Sequence, residues 1–140
     1  MTQEPNLLRQ LPGLTPDTRA FWRGGENGKL MIYRCFACSR YTHPPRPICV
    51  HCGSRNIVPS EVSGKGQVNT YTVNQQVWVP ALKVPYVFAA IELVEQAGLY
   101  VLSNVIKCPP EQIRINMRVK VLFEHIEDIY LPLFEPDEEE

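Results

Sequence analysis

The clearest hydrophobic periodicity lies in the second half of the chain. In MRVKVLFEHI, residues 117–126, apolar side chains at every second position are predicted to face one way, and Arg118 and Lys120 the other. Further runs rich in Val, Thr and aromatic residues occupy 67–79, 86–94, 99–106 and 129–134. The pattern therefore predicts a mainly β structure with five strands after residue 66.

The segments between these runs predict how the strands are joined. EQAG, residues 95–98, is typical of a hairpin turn, and CPPEQI, residues 108–113, can hold one helical turn. Five strands with a single helical turn before the fourth favour a small closed barrel. The OB-fold is the best-known five-stranded example.

The first half of the chain lacks this alternation. Helix signals stand at residues 15–25, where Thr15 suits an N-cap, Pro16 the first helical position and the following Gly24 and Gly25 a helix end. Residues 29–35 then read as a strand. Residues 41–49 contain too many prolines for a regular strand, and 56–66 are interpreted as a linker with a flexible Gly-Lys-Gly end.

These elements divide the chain into four parts. They are an N-terminal segment with a short helix (1–28), a cysteine-containing ribbon (29–60), an OB-fold barrel (61–134) and an acidic tail (135–140).

The ribbon carries two Cys-x-x-Cys pairs, separated by residues 39–48. Four thiolates from two tight turns can surround one metal ion tetrahedrally, and sulfur ligands favour zinc or iron. Zinc is preferred here, although a rubredoxin-type iron site has the same ligand geometry. A metal with four protein ligands has no open position, so its role is structural. The predicted ligands are Cys35, Cys38, Cys49 and Cys52.

Other chemistry for the sulfur-containing residues fits less well. Dithiol redox sites need a pair at a helix N-terminus in a βαβ unit, whereas prolines flank these pairs. His51 lies inside the second pair and is interpreted as a surface residue, because four sulfurs already complete a site. Cys108, beside two prolines, is expected to be a buried inert thiol rather than a nucleophile.

Composition favours a globular chain with one domain, or one small domain and an appendage. The 140 residues are 44% hydrophobic and 21% charged. No run of about 18 apolar residues exists, and the N-terminus lacks a signal-peptide pattern. We therefore expect a cytoplasmic protein with no membrane segment, where cysteines are more often metal ligands than disulfides.

The net charge of −1 is unevenly distributed. Five basic residues and no acidic one occur between Gly28 and Ser60; they are Lys29, Arg34, Arg40, Arg46 and Arg55. Four thiolates and one divalent ion sum to −2, which leaves the ribbon about +3. A positive ribbon predicts an anionic ligand, either nucleic acid or a phosphate-bearing cofactor such as coenzyme A.

No catalytic motif is present. The chain has no G-x-S-x-G, H-E-x-x-H, P-loop or G-x-G-x-x-G sequence, so autonomous catalysis is not expected. The barrel part, 61–134, holds six basic and seven acidic residues, which argues against tight binding to a phosphate backbone. Single-stranded nucleic-acid binding by a ribbon and an OB-fold remains the alternative function.

The order of motifs resembles a family of bacterial and archaeal acyl-CoA-associated proteins, long described as a domain of unknown function. These proteins pair a rubredoxin-like zinc ribbon with an OB-fold. The resemblance covers residues 15–136 and rests on TPDTRAFWRGGENGKLMIYRC, CFAC, PPRPICVHCG, VSGKGQVNTYTV, PYVFAAIEL, CPPEQIRINMRVKVLFE and YLPLFEP. Asn116 departs from the family, which often has glycine there. We expect this change to alter a turn rather than the function.

Members of this family resemble accessory subunits of thiolase-like enzymes. These include aldolases of steroid side-chain degradation and thiolase–synthase assemblies of isoprenoid synthesis. The resemblance implies a non-catalytic subunit of a hetero-oligomer that processes acyl-CoA by retro-aldol cleavage or thiolysis. Its partner, a thiolase-like aldolase or thiolase, would carry the catalytic residues. Steroid degradation is one candidate pathway.

Two groups of residues are candidate contacts in such a complex. Coenzyme A phosphates or acidic partner residues could meet Arg34, Arg40, Arg46 and Lys65, which otherwise are solvated surface residues. The candidate partner contacts are Phe21, Trp22, Trp78 and Tyr86. The first two could instead pack in this chain's own core. The proline-bracketed loop from Trp78 to Tyr86 could cover a partner's active site or be an ordinary barrel loop.

Overall fold

The computed structural model describes residues 11–77 and 83–138 and has a mainly β fold, as predicted. Helix α1 (Arg19–Arg23) continues as a 3-10 turn (Gly24–Asn27), and a second 3-10 turn (Pro110–Gln112) precedes the seventh strand. The strands are β1 (Leu30–Cys35), β2 (Tyr41–Thr42), β3 (Ile57–Val62), β4 (Lys65–Asn74), β5 (Tyr86–Leu93), β6 (Tyr100–Val105), β7 (Arg118–Ile126) and β8 (Ile129–Pro136).

Five strands form a closed barrel in the order β4-β5-β6-β8-β7, and β7 pairs with β4 to complete it. Every pairing is antiparallel except that of β6 with β8. That parallel ladder is short, with Val105 opposite Phe134. The buried Ser103 hydroxyl strengthens it by donating to the Pro132 carbonyl at 2.7 Å. The predicted five-stranded OB-fold is confirmed.

The alternation that predicted β7 is also confirmed. Val119 is fully buried, and Val121 and Phe123 pack against the core from the same side of the strand. Arg118 is exposed on the opposite side. The period-two pattern therefore placed the core residues of this strand correctly.

The ribbon is a three-stranded antiparallel sheet in the order β2-β1-β3. β3 pairs along the whole of β1, from Val62 opposite Leu30 to Ile57 opposite Cys35. The interpretation of residues 56–66 as a linker is therefore wrong. A proline is tolerated in an edge strand, and Pro59 with its polar neighbours hid the strand pattern.

The glycines after β3 form a tight corner rather than a flexible end. Gly64 has a positive φ of 81°, and its carbonyl accepts the Val121 amide at 2.8 Å. A side chain at Gly64 would collide with that of Val121. Glycine is thus required here both by backbone conformation and by the close approach of β7.

Helix α1 begins later than expected. The Thr15 hydroxyl accepts the Thr18 amide at 3.2 Å, as an N-cap residue would, but regular α-helix starts only at Arg19. The α-helix ends before Gly24, as predicted, and the chain continues through a 3-10 turn to Asn27.

One apolar cluster joins the three parts of the fold. It combines barrel residues such as Ile91 and Phe134 with Leu30 and Ile32 of β1 and with Phe21 of α1. The barrel end of the ribbon therefore shares the barrel's core. Among the described residues, no helix is long and apolar enough to cross a bilayer.

Candidate metal centre

The four predicted cysteine ligands come together in one cluster. Their Sγ atoms all lie within 4.8 Å of one another. Two of the separations are 3.7 Å, between Cys35 and Cys52, and 3.6 Å, between Cys38 and Cys49. A tetrahedron with metal–sulfur bonds near 2.3 Å has edges of about 3.8 Å, whereas a disulfide requires about 2.05 Å. The spacing therefore fits four ligands of one metal ion.

The two Cys-x-x-Cys loops have the same local geometry. In the first, the Ser39 amide donates to the Cys35 carbonyl at 2.7 Å, and in the second the Gly53 amide donates to the Cys49 carbonyl at 2.9 Å. Both donors have a positive φ, 72° at Ser39 and 82° at Gly53. Ser39 and Gly53, four residues after each leading cysteine, thus close tight turns. Each turn brings the two sulfurs of its pair together on the same side of the loop.

Backbone amides also stabilise the thiolate form of the leading cysteines. The Ala37 and His51 amides donate to the Cys35 and Cys49 sulfurs, each at 3.3 Å. The pKa of Cys35 is lowered to about 6, chiefly by a backbone hydrogen bond from Cys38, although desolvation acts in the opposite direction. Because the thiolate is the form that binds metal, these amide hydrogen bonds favour ligation by Cys35 and Cys49.

The ribbon arginines have different surroundings. Arg34 is half-buried, donates from Nε to the Ser39 carbonyl at 3.0 Å, and lies over the Tyr41 ring with 4.9 Å to its centroid. It therefore braces the first cysteine loop. Arg40 is exposed, with one guanidinium nitrogen 3.3 Å from Nδ1 of His51, which is itself on the surface as predicted. Arg46 is also exposed.

Lys65 lies on the barrel instead. It lines a depression of about 600 Å³ together with Gln67, Glu92, Arg118 and Asp137, and none of the ribbon arginines takes part in that lining. The depression carries charges of both signs. The four cations grouped as candidate anion contacts are thus not gathered around one depression.

The predicted aromatic contacts differ in exposure. Phe21 is 7% exposed, and its ring meets the ring of Trp22 edge-on at 4.7 Å between centroids. Of its two interpretations, packing in this chain's own core is the one that the burial supports. Trp22 and Tyr86 are half-buried, and Trp78 lies outside the described residues.

An apolar cavity between α1, the ribbon and the barrel was not predicted. It has a volume of about 310 Å³ and is lined by Trp22, His43, Pro44 and Leu102, among others. His43 is close to Phe21, with 4.8 Å between ring centroids, and desolvation lowers its pKa to about 4. Only the fold brings these segments together, so sequence pattern gave no signal for the half-buried histidine.

A polar junction between ribbon and barrel was also missed. The side-chain amide of Gln96, in the β5–β6 turn, accepts the Tyr41 backbone N–H at 2.8 Å and donates to the Tyr41 carbonyl at 3.1 Å. The neighbouring Glu95 carboxylate accepts the Ser63 amide at 2.7 Å. Cys108 is half-buried rather than buried, and desolvation raises its pKa, as suits an inert thiol.

Comparison with known proteins agrees with this architecture. Residues 22–58 match the model of the ChsH2 rubredoxin-like zinc ribbon domain, and residues 60–124 match that of the ChsH2 C-terminal OB-fold domain. The fold and the cysteine site thus define a metal-binding ribbon joined to an OB-fold.

Two curated relatives are alpha subunits of CoA-ester hydratases. A probable enoyl-CoA hydratase alpha subunit of Thermomonospora curvata is 36% identical over 96% of this chain and 42% of its own length. The 3-oxo-4,17-pregnadiene-20-carboxyl-CoA hydratase alpha subunit of Mycobacterium tuberculosis is 33% identical, with the same two coverages. This chain therefore spans under half the length of these relatives.

A solved structure matches over almost its whole length. It is a chain of the Ltp2-ChsH2(DUF35) aldolase, with a TM-score of 0.81 and 35% identity, and the match covers 90% of this chain and 98% of that one. This chain belongs to the DUF35 family, with the ribbon and OB-fold of ChsH2.

Proposed function

We propose that this chain is a non-catalytic accessory subunit that binds a thiolase-like aldolase or thiolase and completes its acyl-CoA site. The observation that carries the proposal is the match to the DUF35 chain of the Ltp2-ChsH2 aldolase across 98% of that chain. That protein is named as an aldolase of Ltp2 with ChsH2(DUF35). The expected reaction of the complex is carbon–carbon cleavage or formation, by a retro-aldol or thiolysis step.

The hydratase relatives support a proposal about the class of substrate, but they do not support a proposal of hydratase activity for this chain. The Mycobacterium tuberculosis relative acts on the CoA ester of a steroid carboxylic acid, so a steroid acyl-CoA is the leading candidate substrate of the complex. This chain corresponds to 42% of that relative. Hydratase activity is therefore not part of the proposal.

We assign zinc rather than iron to the cysteine cluster, and a structural role to the metal. The ribbon resembles rubredoxin, which holds iron, but the matching family model is a zinc ribbon. Four sulfurs at tetrahedral spacing leave no position for substrate or water. A bound zinc ion would therefore supply no reaction step, and its part is to fix the two cysteine loops in place.

The exposed cations of the ribbon have a role in this proposal. Arg40 and Arg46 are available for coenzyme A phosphates or acidic partner residues, and Lys65 offers a further contact on the barrel. Arg34 makes a smaller contribution because its guanidinium already binds within the ribbon. The candidate partner contacts remain Trp22 of α1, Tyr86 of β5 and Trp78, which lies outside the described residues.

The test is affinity purification of the tagged full chain from its native host, followed by mass spectrometry. We expect a thiolase-like subunit to co-purify, and that purified subunit to cleave or form its acyl-CoA substrate faster with this chain than without it. The chain alone should show no turnover. Recovery of RNA, polymerase or ribosomal proteins instead would favour the nucleic-acid alternative, and turnover by the isolated chain would contradict an accessory role.

A further inference from the structure

The tips of the two cysteine loops expose apolar side chains. Phe36 and Val50 each directly follow the leading cysteine of a pair and are 56% and 57% exposed, and Ile48 directly precedes Cys49 and is 38% exposed. Because the four sulfurs lie within 4.8 Å of one another, these side chains are carried on loops held side by side. We name the surface formed by Phe36, Ile48 and Val50 the knuckle face.

Exposed positive charge lies beside the knuckle face. Arg40 follows the first loop, and its guanidinium reaches Nδ1 of His51 in the second loop at 3.3 Å, so its charge lies against the second loop. Arg46 and Arg55 are exposed on the segments that enter and leave the second loop. No acidic residue occurs between Gly28 and Ser60, and Glu61, later in β3, lies 3.8 Å from Lys29 instead.

An apolar centre with a charged rim is the composition of a protein interface rather than of a phosphate site. A phosphate ligand would use the arginines and give no reason for three exposed apolar side chains. Phe36 and Val50 hold the same position in two loops whose sulfurs lie within 4.8 Å of one another, so a partner surface that spans both loops would contact both side chains. The rim charge selects a partner surface with carboxylates around an apolar centre.

We infer that the knuckle face docks the thiolase-like subunit, through a partner patch with an apolar centre and an acidic rim. This inference rests on the proposed function and adds to it the surface and the chemistry of the contact. It makes the metal indirectly necessary for assembly, since the metal holds the two loops side by side.

The experiment compares surface variants of the full chain for affinity to the purified thiolase-like subunit. The double variant Phe36→Ser with Val50→Ser should weaken binding roughly 30-fold, as expected for loss of central interface contacts. Arg40→Glu with Arg46→Glu should also weaken it, and this loss should shrink as salt is raised. None of these changes removes a cysteine, so metal content and melting temperature should stay at wild-type values.

Two further variants locate the effect. Ile115→Ser changes a comparably exposed apolar residue on the barrel and should leave affinity unchanged. Leu102→Ser tests the rival apolar surface beside the 310 Å³ cavity. Wild-type affinity in the Phe36/Val50 variant, or a loss only in Leu102→Ser, would overturn the inference. A photo-crosslinking residue at position 36 should attach to a partner peptide that contains Asp or Glu.

The outcomes separate this inference from the proposed function. If no thiolase-like subunit co-purifies with the wild-type chain, the proposed function fails and the inference falls with it. If that subunit binds wild type and knuckle-face variants equally, the function stands and only the inference fails. The inference is also overturned if the variants keep partner affinity but lose binding to single-stranded DNA or to phosphatidylserine vesicles.

Discussion

The ribbon loops and the barrel are held together by different forces. In residues 36–58, all of which the structure describes, only Thr42 and Cys49 are buried. The barrel buries a continuous apolar core that includes Val68, Val87, Ile91, Val101, Val119 and Phe134. Apolar burial therefore stabilises the barrel, whereas the loops have too little of it to fold on that basis.

This difference in the source of stability determines which side chains each region can expose for contacts with other molecules. A structural zinc site contributes about 10–16 kcal/mol of apparent binding energy in peptides, much of it as folding energy. A loop stabilised in this way does not need its apolar side chains inside, so Phe36 and Val50 can face outward. The barrel has no such freedom at its inward positions, because those residues are its source of stability.

The largest expected effect follows from breaking the cysteine cluster. Cys38→Ser removes a sulfur that lies 3.6 Å from the Cys49 sulfur, so the chain should lose its metal and the loops should unfold. Amide hydrogen exchange should show nearly complete loss of protection in residues 36–58, and elemental analysis should show no bound metal. A soluble, metal-free and fully folded variant would contradict the structural role.

A substitution in the barrel core provides the converse test, because it removes apolar burial and leaves all four cysteines of the cluster in place. Phe134→Ala empties a fully buried position of the barrel and should cost about 3–5 kcal/mol of the free energy of unfolding in urea. Its metal content should stay at the wild-type value while the chain remains folded. If this variant released its metal in proportion to its loss of stability, the two regions would not be separately stabilised.

The next largest effect concerns His43, which lies where the ribbon meets α1 and the barrel, and it is measured as the pH dependence of stability. Burial lowers the pKa of His43 from 6.5 to about 4, so in this window the unfolded chain binds a proton that the folded chain does not. The free energy of unfolding should therefore fall as the pH drops from 6.5 to 4, by on the order of 3 kcal/mol.

His43→Gln isolates this contribution. Because the variant lacks the desolvated imidazole, the difference in unfolding free energy between wild type and variant should be constant above pH 7 and should change by that amount toward pH 4. The measurement is urea unfolding at a series of pH values. A difference that does not vary with pH would mean that His43 is accessible to water in the folded chain.

Local pattern predicted those parts of the molecule that depend on local chemistry. The alternation of residues 117–126 fixed β7 and its inward face, and the spacing of Cys35, Cys38, Cys49 and Cys52 brought their sulfurs together as expected. Asn116 has a positive φ of 69°, a conformation that glycine adopts freely and asparagine tolerates. Asn116 therefore lies in a turn conformation, and the expectation that its departure from the family leaves the function unchanged stays a prediction.

The missed features depend on contacts between distant segments. β3 is recognisable mainly through its pairing with β1, because Pro59, Ser60 and Glu61 interrupt its apolar pattern. The desolvation of His43 requires α1 and β6 to meet the ribbon, which no local signal indicates. For the same reason, sequence reasoning could name Phe21 as core or anchor but could not decide between them.

The smallest expected effect concerns the polar junction, where neither the metal nor the core is changed. Gln96→Ala leaves both the N–H and the carbonyl of Tyr41 without their partner, so it should cost about 1–2 kcal/mol. Amide exchange at Tyr41 should speed up while protection of the barrel strands and metal content stay unchanged. Gln112→Ala, at an exposed site in a 3-10 turn, is the matched control and should alter neither quantity. Unchanged exchange at Tyr41 in Gln96→Ala would show that the Gln96 side chain does not help to hold the ribbon on the barrel.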